Sequence, residues 1–319
     1  MTPEEEKLFS IFFPFACPRQ MKMLETRNPL VHYTSADAAM KIISQKRFWM
    51  REASCMNDKA EMHHGKNCLI NAYSDGLKEK LESVLNPISP EIVKKLESYY
   101  DGWMNTFMTD TYLSCFSEHD EENEGGLGRL SMWRAYSKNS GVALVLNSPI
   151  FFSESEYFNG LYTSPVAYLD DQSFKGEMLG LVSGIENNLD MVSKLEPDII
   201  VDLLFKAFLF ATTCTKHPGF AEEKEWRVTY CPKILSADCI EKGFETIHGI
   251  PQIIYKIPIE APPEKSLDDL DLDKFLRYVI IGPTEYPLAM YKAFANLLRD
   301  KGVTNPESRV RVSHIPLRT

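Results

Sequence analysis

The stretch from Phe220 to Tyr230, Phe-Ala-Glu-Glu-Lys-Glu-Trp-Arg-Val-Thr-Tyr, constrains the fold more than any other part of the chain. Read as a β-strand, it places Glu223, Glu225, Arg227 and Thr229 on one face and Lys224, Trp226, Val228 and Tyr230 on the other. One face is ionic and the other is largely apolar. Turning Trp226, Val228 and Tyr230 toward a core fixes the register, because a slip of one residue would bury the carboxylates instead. Two carboxylates and a guanidinium are thereby held in place, as a functional site requires.

The rest of the composition is that of an ordinary globular protein. With 319 residues, 44% hydrophobic and 25% charged, the chain can bury a substantial core. No Pro/Gly/Ser-rich linker separates two halves, so the expectation is a single elaborated α+β domain over residues 30–319. An extension occupies 1–29, and helical insertions fall near 59–110 and 170–215. A net charge of -10 argues against an extensive nucleic-acid or anionic-membrane surface. Seven cysteines without a C-x-x-C pair read as reduced thiols in a cytoplasmic protein. The apolar run from Phe9 to Cys17 is too short for a bilayer and follows Glu4, Glu5 and Glu6, so neither a signal peptide nor a membrane anchor is expected.

In chain order, Leu30 to Ser35 reads as a strand that feeds a helix over Ala36 to Gln45, with Thr34 or Ser35 as its cap. Phe48 to Arg51 then closes a small β-α-β unit. His32 and Thr34 share a strand face. Asp58 and Glu61 fit a capping box for a helix running into the low eighties. His63 and His64 point about 100° apart on such a helix, so they make no natural metal pair. Ser89-Pro90-Glu91 marks a helix start, and the helix is expected to reach Thr109. Thr111 to Ser117 reads as a strand ending at an acidic, glycine-containing loop, Glu118 to Gly128, which is either a lid or an ordinary surface loop. Trp133 and Tyr136 share a helix face, and Gly141 to Leu146 is a buried strand. Later strands are expected at Ile253 to Pro258, Tyr278 to Pro283 and Val310 to His314, with a helix over Leu288 to Asp300.

Several of these motifs, in this order, resemble a bacterial family, domain of unknown function 2971. They are Leu30 to Ser35, Met56-Asn57-Asp58, Cys115-Phe116-Ser117, Trp133-Arg134-x-Tyr136 followed by Gly141-Val142, Glu223-x-Glu225-Trp226-Arg227, and Ile280-Ile281-Gly282-Pro283. Lys59 departs from the proline expected after Asn-Asp. The His-x-Thr opening, the strand-end Ser and the late Glu-x-Glu are also similar to the three-part signature of ADP-ribosyltransferases. That resemblance implies a split mixed sheet and NAD as substrate, with a protein, nucleic acid or small molecule as the unknown acceptor. It also implies a toxin or defence setting.

Under it, Glu225 stabilises the positive charge that builds on ribose when nicotinamide leaves, and Glu223 activates the acceptor. His32 and Thr34 hold ribose or phosphate, Ser117 braces Glu225, and Tyr33 or Tyr136 stacks on nicotinamide. Arg134 or Arg227 binds the pyrophosphate. Two other readings remain: a metal-dependent hydrolase or nuclease on Asp58, Glu61 and His63, and a non-catalytic ligand-sensing or interaction module. For His32 the alternative is a satisfied core histidine, and for Glu225 and Arg227 a structural ion pair.

Overall fold

A computed structural model describes residues 2–56, 59–136, 140–153, 155–234, 236–247, 249–261 and 270–316. The N-terminal extension is two helices, α1 (Pro3–Phe12) and α2 (Ala16–Thr26). Strand β1 (Leu30–Ser35), helix α3 (Ala36–Gln45) and strand β2 (Arg47–Glu52) follow. The first insertion holds α4 (Lys59–Ala72), α5 (Lys78–Leu85) and α6 (Glu91–Thr109). Next come β3 (Tyr112–Glu118), α7 (Leu130–Tyr136), β4 (Gly141–Leu146), β5 (Leu161–Pro165) and β6 (Ala167–Tyr168). The second insertion is α8 (Asp171–Glu186), α9 (Leu189–Val192) and α10 (Pro197–Thr213). It returns through β7 (Thr215–Lys216) to β8 (Glu225–Tyr230), and a hairpin of β9 (Glu241–Ile247) and β10 (Ile250–Pro258) comes after it. The last elements are α11 (Leu272–Phe275), β11 (Leu276–Ile281), α12 (Pro287–Asp300) and β12 (Val310–Val312).

This is the expected α+β class, with a ten-stranded mixed sheet ordered β12-β11-β4-β1-β3-β2-β10-β9 and with β8 and β5 branching from β3. Strand β4 is buried at every position and lies between β1 and β11, as a continuous apolar run does in a sheet covered on both faces. Ser35 caps α3 by accepting from the Ala38 amide.

The sheet parts around β3. One edge of β3 pairs with β8 from Tyr112 to Ser117. The other edge is shared: β1 holds only its Ser117–Glu118 end and β2 only its Tyr112–Leu113 end. Strands β1 and β2 therefore diverge, and the expected compact β-α-β unit is corrected to two parallel strands that do not pair with each other. Phe48, Phe116 and His32 pack into the gap between them.

Two apolar bodies flank this sheet. One, with Trp226, Val228 and Tyr230, fills the face under α3 and α12. The other is helical, built on Leu69, Leu81, Val182, Ile200 and Leu204 with Ile11 and Phe12 of α1. Helices α4 and α10 cross closely, since a Cβ at Gly65 would lie 2.3 Å from the Thr212 carbonyl oxygen. The helix expected from the late fifties to the low eighties is interrupted at Asp75 and Gly76, where Gly76 takes φ 91. Ser89 does not cap α6 as an N-cap residue; that position is Pro90, and the Ser89 hydroxyl accepts from Glu91 at 3.4 Å. The expected capping box falls on Asp58 and Glu61, and neither Asp58 nor the Glu61 side chain lies within the described residues. No helix among the described residues is long and apolar enough to cross a membrane.

The acidic loop is anchored and is no free lid. Glu124 accepts from Arg129 at 2.7 Å, Trp133 donates to the Leu127 carbonyl at 2.8 Å, and Tyr278 donates to Glu121 at 2.7 Å.

Candidate functional site

A cleft of about 530 Å³ opens over the parted sheet, with a volume in the range of small-molecule sites. Its floor is β3 and β8, and the ends of β1 and β2 close it. Met132, Ala135 and Tyr136 of α7 form one wall, and Met56 and Met62 the opposite one.

Strand alternation delivers Glu225 and Arg227 to this floor, opposite Ser117 and Cys115 in the β3 register. Trp226 and Val228 go to the core on the other side, as their spacing requires. Glu225 is 6% exposed. Its carboxylate accepts from Arg227 Nε at 2.7 Å and pairs with Lys216 Nζ at 2.7 Å. Burial pushes the Glu225 carboxyl up, but the Arg227 and Lys216 charges outweigh it and bring the pKa down to about 2. Glu225 is thus a carboxylate at any ordinary pH. Its backbone amide donates to the Tyr168 hydroxyl at 2.8 Å, which fixes the strand end as well.

Glu223 reaches the same place by a different route. The strand expected from Phe220 begins only at Glu225, because Pro218–Glu223 is a 3-10 turn and Lys224 sits at φ 45. Proline at the first turn position sets φ and removes a donor, and His217 Nδ1 caps the turn by accepting from Gly219 at 3.1 Å. The turn still lowers the Glu223 side chain beside Glu225. Lys216 Nζ donates to it at 2.6 Å and the Tyr136 hydroxyl donates to it at 3.2 Å.

His32, Thr34, Tyr33, Ser117, Tyr136, Glu223, Glu225 and Arg227 all line the cleft, so residues far apart in the chain converge there. Their contacts revise several expected roles. Ser117 does not brace the Glu225 carboxylate: its hydroxyl donates to the Glu223 carbonyl oxygen and accepts from Arg129 Nη1. Arg227 is buried, with Nε on Glu225 and Nη1 on the Thr213 carbonyl, so it does not reach for a pyrophosphate. Arg134 is exposed and lies outside the cleft lining. The Tyr33 hydroxyl accepts from the Arg129 amide at 2.8 Å and its ring meets Trp133 edge-on, which commits it to structure and not to stacking.

His32 occupies the parting of the sheet. Its Nδ1 donates to the Cys115 carbonyl at 2.8 Å, an acceptor that β1 no longer covers once it has diverged. Burial lowers its pKa, with the Cys115 contact pulling partway back, so the ring is neutral. Nε2 then carries the lone pair.

Four residues of the site had no sequence signal strong enough to find them, and a fifth, Cys115, stood in the sequence only as part of the Cys115-Phe116-Ser117 motif, with no role. Lys216 bridges both glutamates, and Tyr168 fixes the start of β8. Cys115 lies against Glu225, and burial raises its thiol pKa well above the usual value. Arg51 comes in from β2. Arg129 binds the carbonyls of Glu118, Glu222 and Glu223 and so ties the acidic loop to the 3-10 turn. All five depend on chain crossings that no local period encodes. Among the described residues, no three His, Cys, Asp or Glu side chains group as metal ligands. Of the residues expected for a metal site, His63 is exposed, while Asp58 and the Glu61 side chain lie outside the described residues.

Residues 132–228, a little under a third of the chain, match the family model described as Protein of unknown function (DUF2971). The matched segment carries Tyr136, Tyr168, Lys216, Glu223, Glu225 and Arg227. Comparison with curated proteins and with solved structures gives no match.

Proposed function

We propose that the cleft binds NAD and breaks its nicotinamide–ribose bond, passing ADP-ribose to an acceptor whose identity is open. The observation that carries this reading is Glu225: an ionised, fixed carboxylate on the floor of a small-molecule cleft, with a second carboxylate, Glu223, beside it. In the reaction, the C–N electron pair leaves with nicotinamide and the ribose becomes oxocarbenium-like. Glu225 stabilises that charge more in the transition state than in the bound substrate. The acceptor's lone pair then forms the new bond to the ribose carbon, and its proton passes to Glu223. In this reading Tyr136, which lines the cleft and donates to Glu223, contacts the nicotinamide end, and neutral His32 offers Nε2 as an acceptor for a ribose hydroxyl.

A second reading draws on one specific observation. Lys216 engages both carboxylates and Arg227 engages Glu225, which suits a recognition module that binds a ligand without turning it over. Nicotinamide release and NAD-dependent thermal stabilisation, measured side by side, separate the two. The transferase reading expects release in the wild type that falls roughly 10²-fold or more in Glu225→Gln, the scale of losing one preorganised electrostatic group. Equal release from both proteins, or none from the wild type with any acceptor, would sink it. NAD-dependent stabilisation without turnover would leave the binding module standing.

A further inference from the structure

Strand β2 brings to the cleft a guanidinium that no carboxylate among the described residues neutralises. Arg51 donates from Nε to Gln252 Oε1 at 3.2 Å and from Nη2 to the Cys55 carbonyl at 2.7 Å, and it has no ion pair among the described residues. The other two cations of the lining differ, since Lys216 and Arg227 both pair with Glu225. Arg51 is half-buried without a counter-charge among the described residues, an arrangement that costs hydration, and burial lowers its pKa. A ligand that brings negative charge would remove that cost.

The surroundings of Arg51 point the same way. Trp49 lies two residues back on the same strand face, is 9% exposed and lines the cleft, and its buried indole Nε1 has no hydrogen-bond partner among the described residues. An indole N–H can only donate. The first turn of the ten-residue helix α3, at Ser35, Asp37 and Ala38, lines the same region and presents the positive end of the helix dipole. The one carboxylate of that turn, Asp37, is 77% exposed and pairs with Lys41 at 3.5 Å. The cleft is therefore divided. Its Glu223/Glu225 end holds fixed carboxylates, and its Arg51 end holds donors.

We propose that Arg51, the Trp49 indole N–H and the first turn of α3 form a subsite for a phosphate or pyrophosphate group, so the ligand of this cleft is a phosphorylated one. Arg51 then takes the role that the sequence offered to Arg134 or Arg227. Naming the group as the pyrophosphate of NAD rests on the function proposed above; the anion chemistry of the subsite does not.

The test uses the full chain, with inorganic pyrophosphate and ADP-ribose as separate calorimetric titrants. Both are expected to bind the wild type with affinity that declines as salt rises. Arg51→Met should weaken both by about tenfold or more, the scale of losing charged hydrogen bonds. Arg51→Lys should lose less, because it keeps the charge but not the planar fork. Trp49→Phe should weaken pyrophosphate by a smaller factor, and with Arg51→Lys it carries the test if Arg51→Met does not fold. Undetectable pyrophosphate binding to the wild type, or equal binding by the Arg51 variants, would overturn the proposal. Arg51-dependent pyrophosphate binding without nicotinamide release would keep the subsite and end the transferase reading. Nicotinamide release with unchanged KM in Arg51→Met would do the reverse.

Discussion

The helical layer and the cleft floor both carry charged side chains, and they place them in opposite ways. Around α5, α8 and α10 the interior is apolar: Leu77, Leu81, Val182, Ile200 and Leu204 are all fully buried. Charges there stay at the rim, as in Lys80 with Glu186 at 2.7 Å, whose side chains are 37% and 45% exposed. On the cleft floor the charges are inside, with Lys216 and Arg227 each 3% exposed and Glu225 6%. Rim pairs contribute little, whereas buried charges lose hydration worth several kcal/mol and regain it only with tight pairing. Apolar replacement of a buried ion set is often neutral or stabilising. A chain that packs a leucine interior in one layer had that option in the other, so the buried ions of the floor are the part of the molecule whose composition stability alone does not account for.

Mutations test this contrast directly. The largest effect is expected from Arg227→Met, which leaves Glu225 buried without its nearest guanidinium and should destabilise the fold by about 3–5 kcal/mol in urea unfolding. A loss below about 1 kcal/mol would mean that the floor behaves like the rim.

Acid should come next. Glu225 is depressed from its ordinary 4.5 to about 2 in the folded state. An unfolded chain therefore takes up its proton first as pH falls. The stabilisation is fully present above 4.5 and is lost between there and about 2. Unfolding free energies measured across that interval should fall more steeply for the wild type than for Glu225→Gln; parallel curves would show that the carboxylate is not held as the geometry indicates. The smallest effect is expected at the rim, where Lys80→Ala should change stability by less than about 1 kcal/mol and should be insensitive to the state of the cleft.

Much of this fold was legible because its strongest signals are local. Periodicity located α3, α6, α12 and β4 to within a residue or two, and the Trp226, Val228 and Tyr230 alternation correctly sent those side chains to the core. The hairpin of β9 and β10 was half missed, since β9 is an exposed edge strand whose Glu241, Lys242 and Glu245 blur its pattern. The divergence of β1 from β2 was invisible as well. It follows from β3 offering one edge to two strands, a fact about pairing and not about any segment.

The site divides in the same way. By itself the sequence determined that Glu225 and Arg227 share a face and that the opposite face is core, because a period of two is a local property of the backbone. It also put Glu223 near Glu225, although the chain achieves this through a capped 3-10 turn and not by continuing the strand. What only the tertiary structure decided is the company these residues keep: Lys216 between the two glutamates, His32 turned to the Cys115 carbonyl, Ser117 and Arg129 on the turn, and Arg51 held by Gln252 and the Cys55 carbonyl with no counter-charge among the described residues. Each is a contact between segments far apart in the chain, fixed by the packing of the helices and strands that carry them, and no local pattern of residues can encode which of those segments will meet.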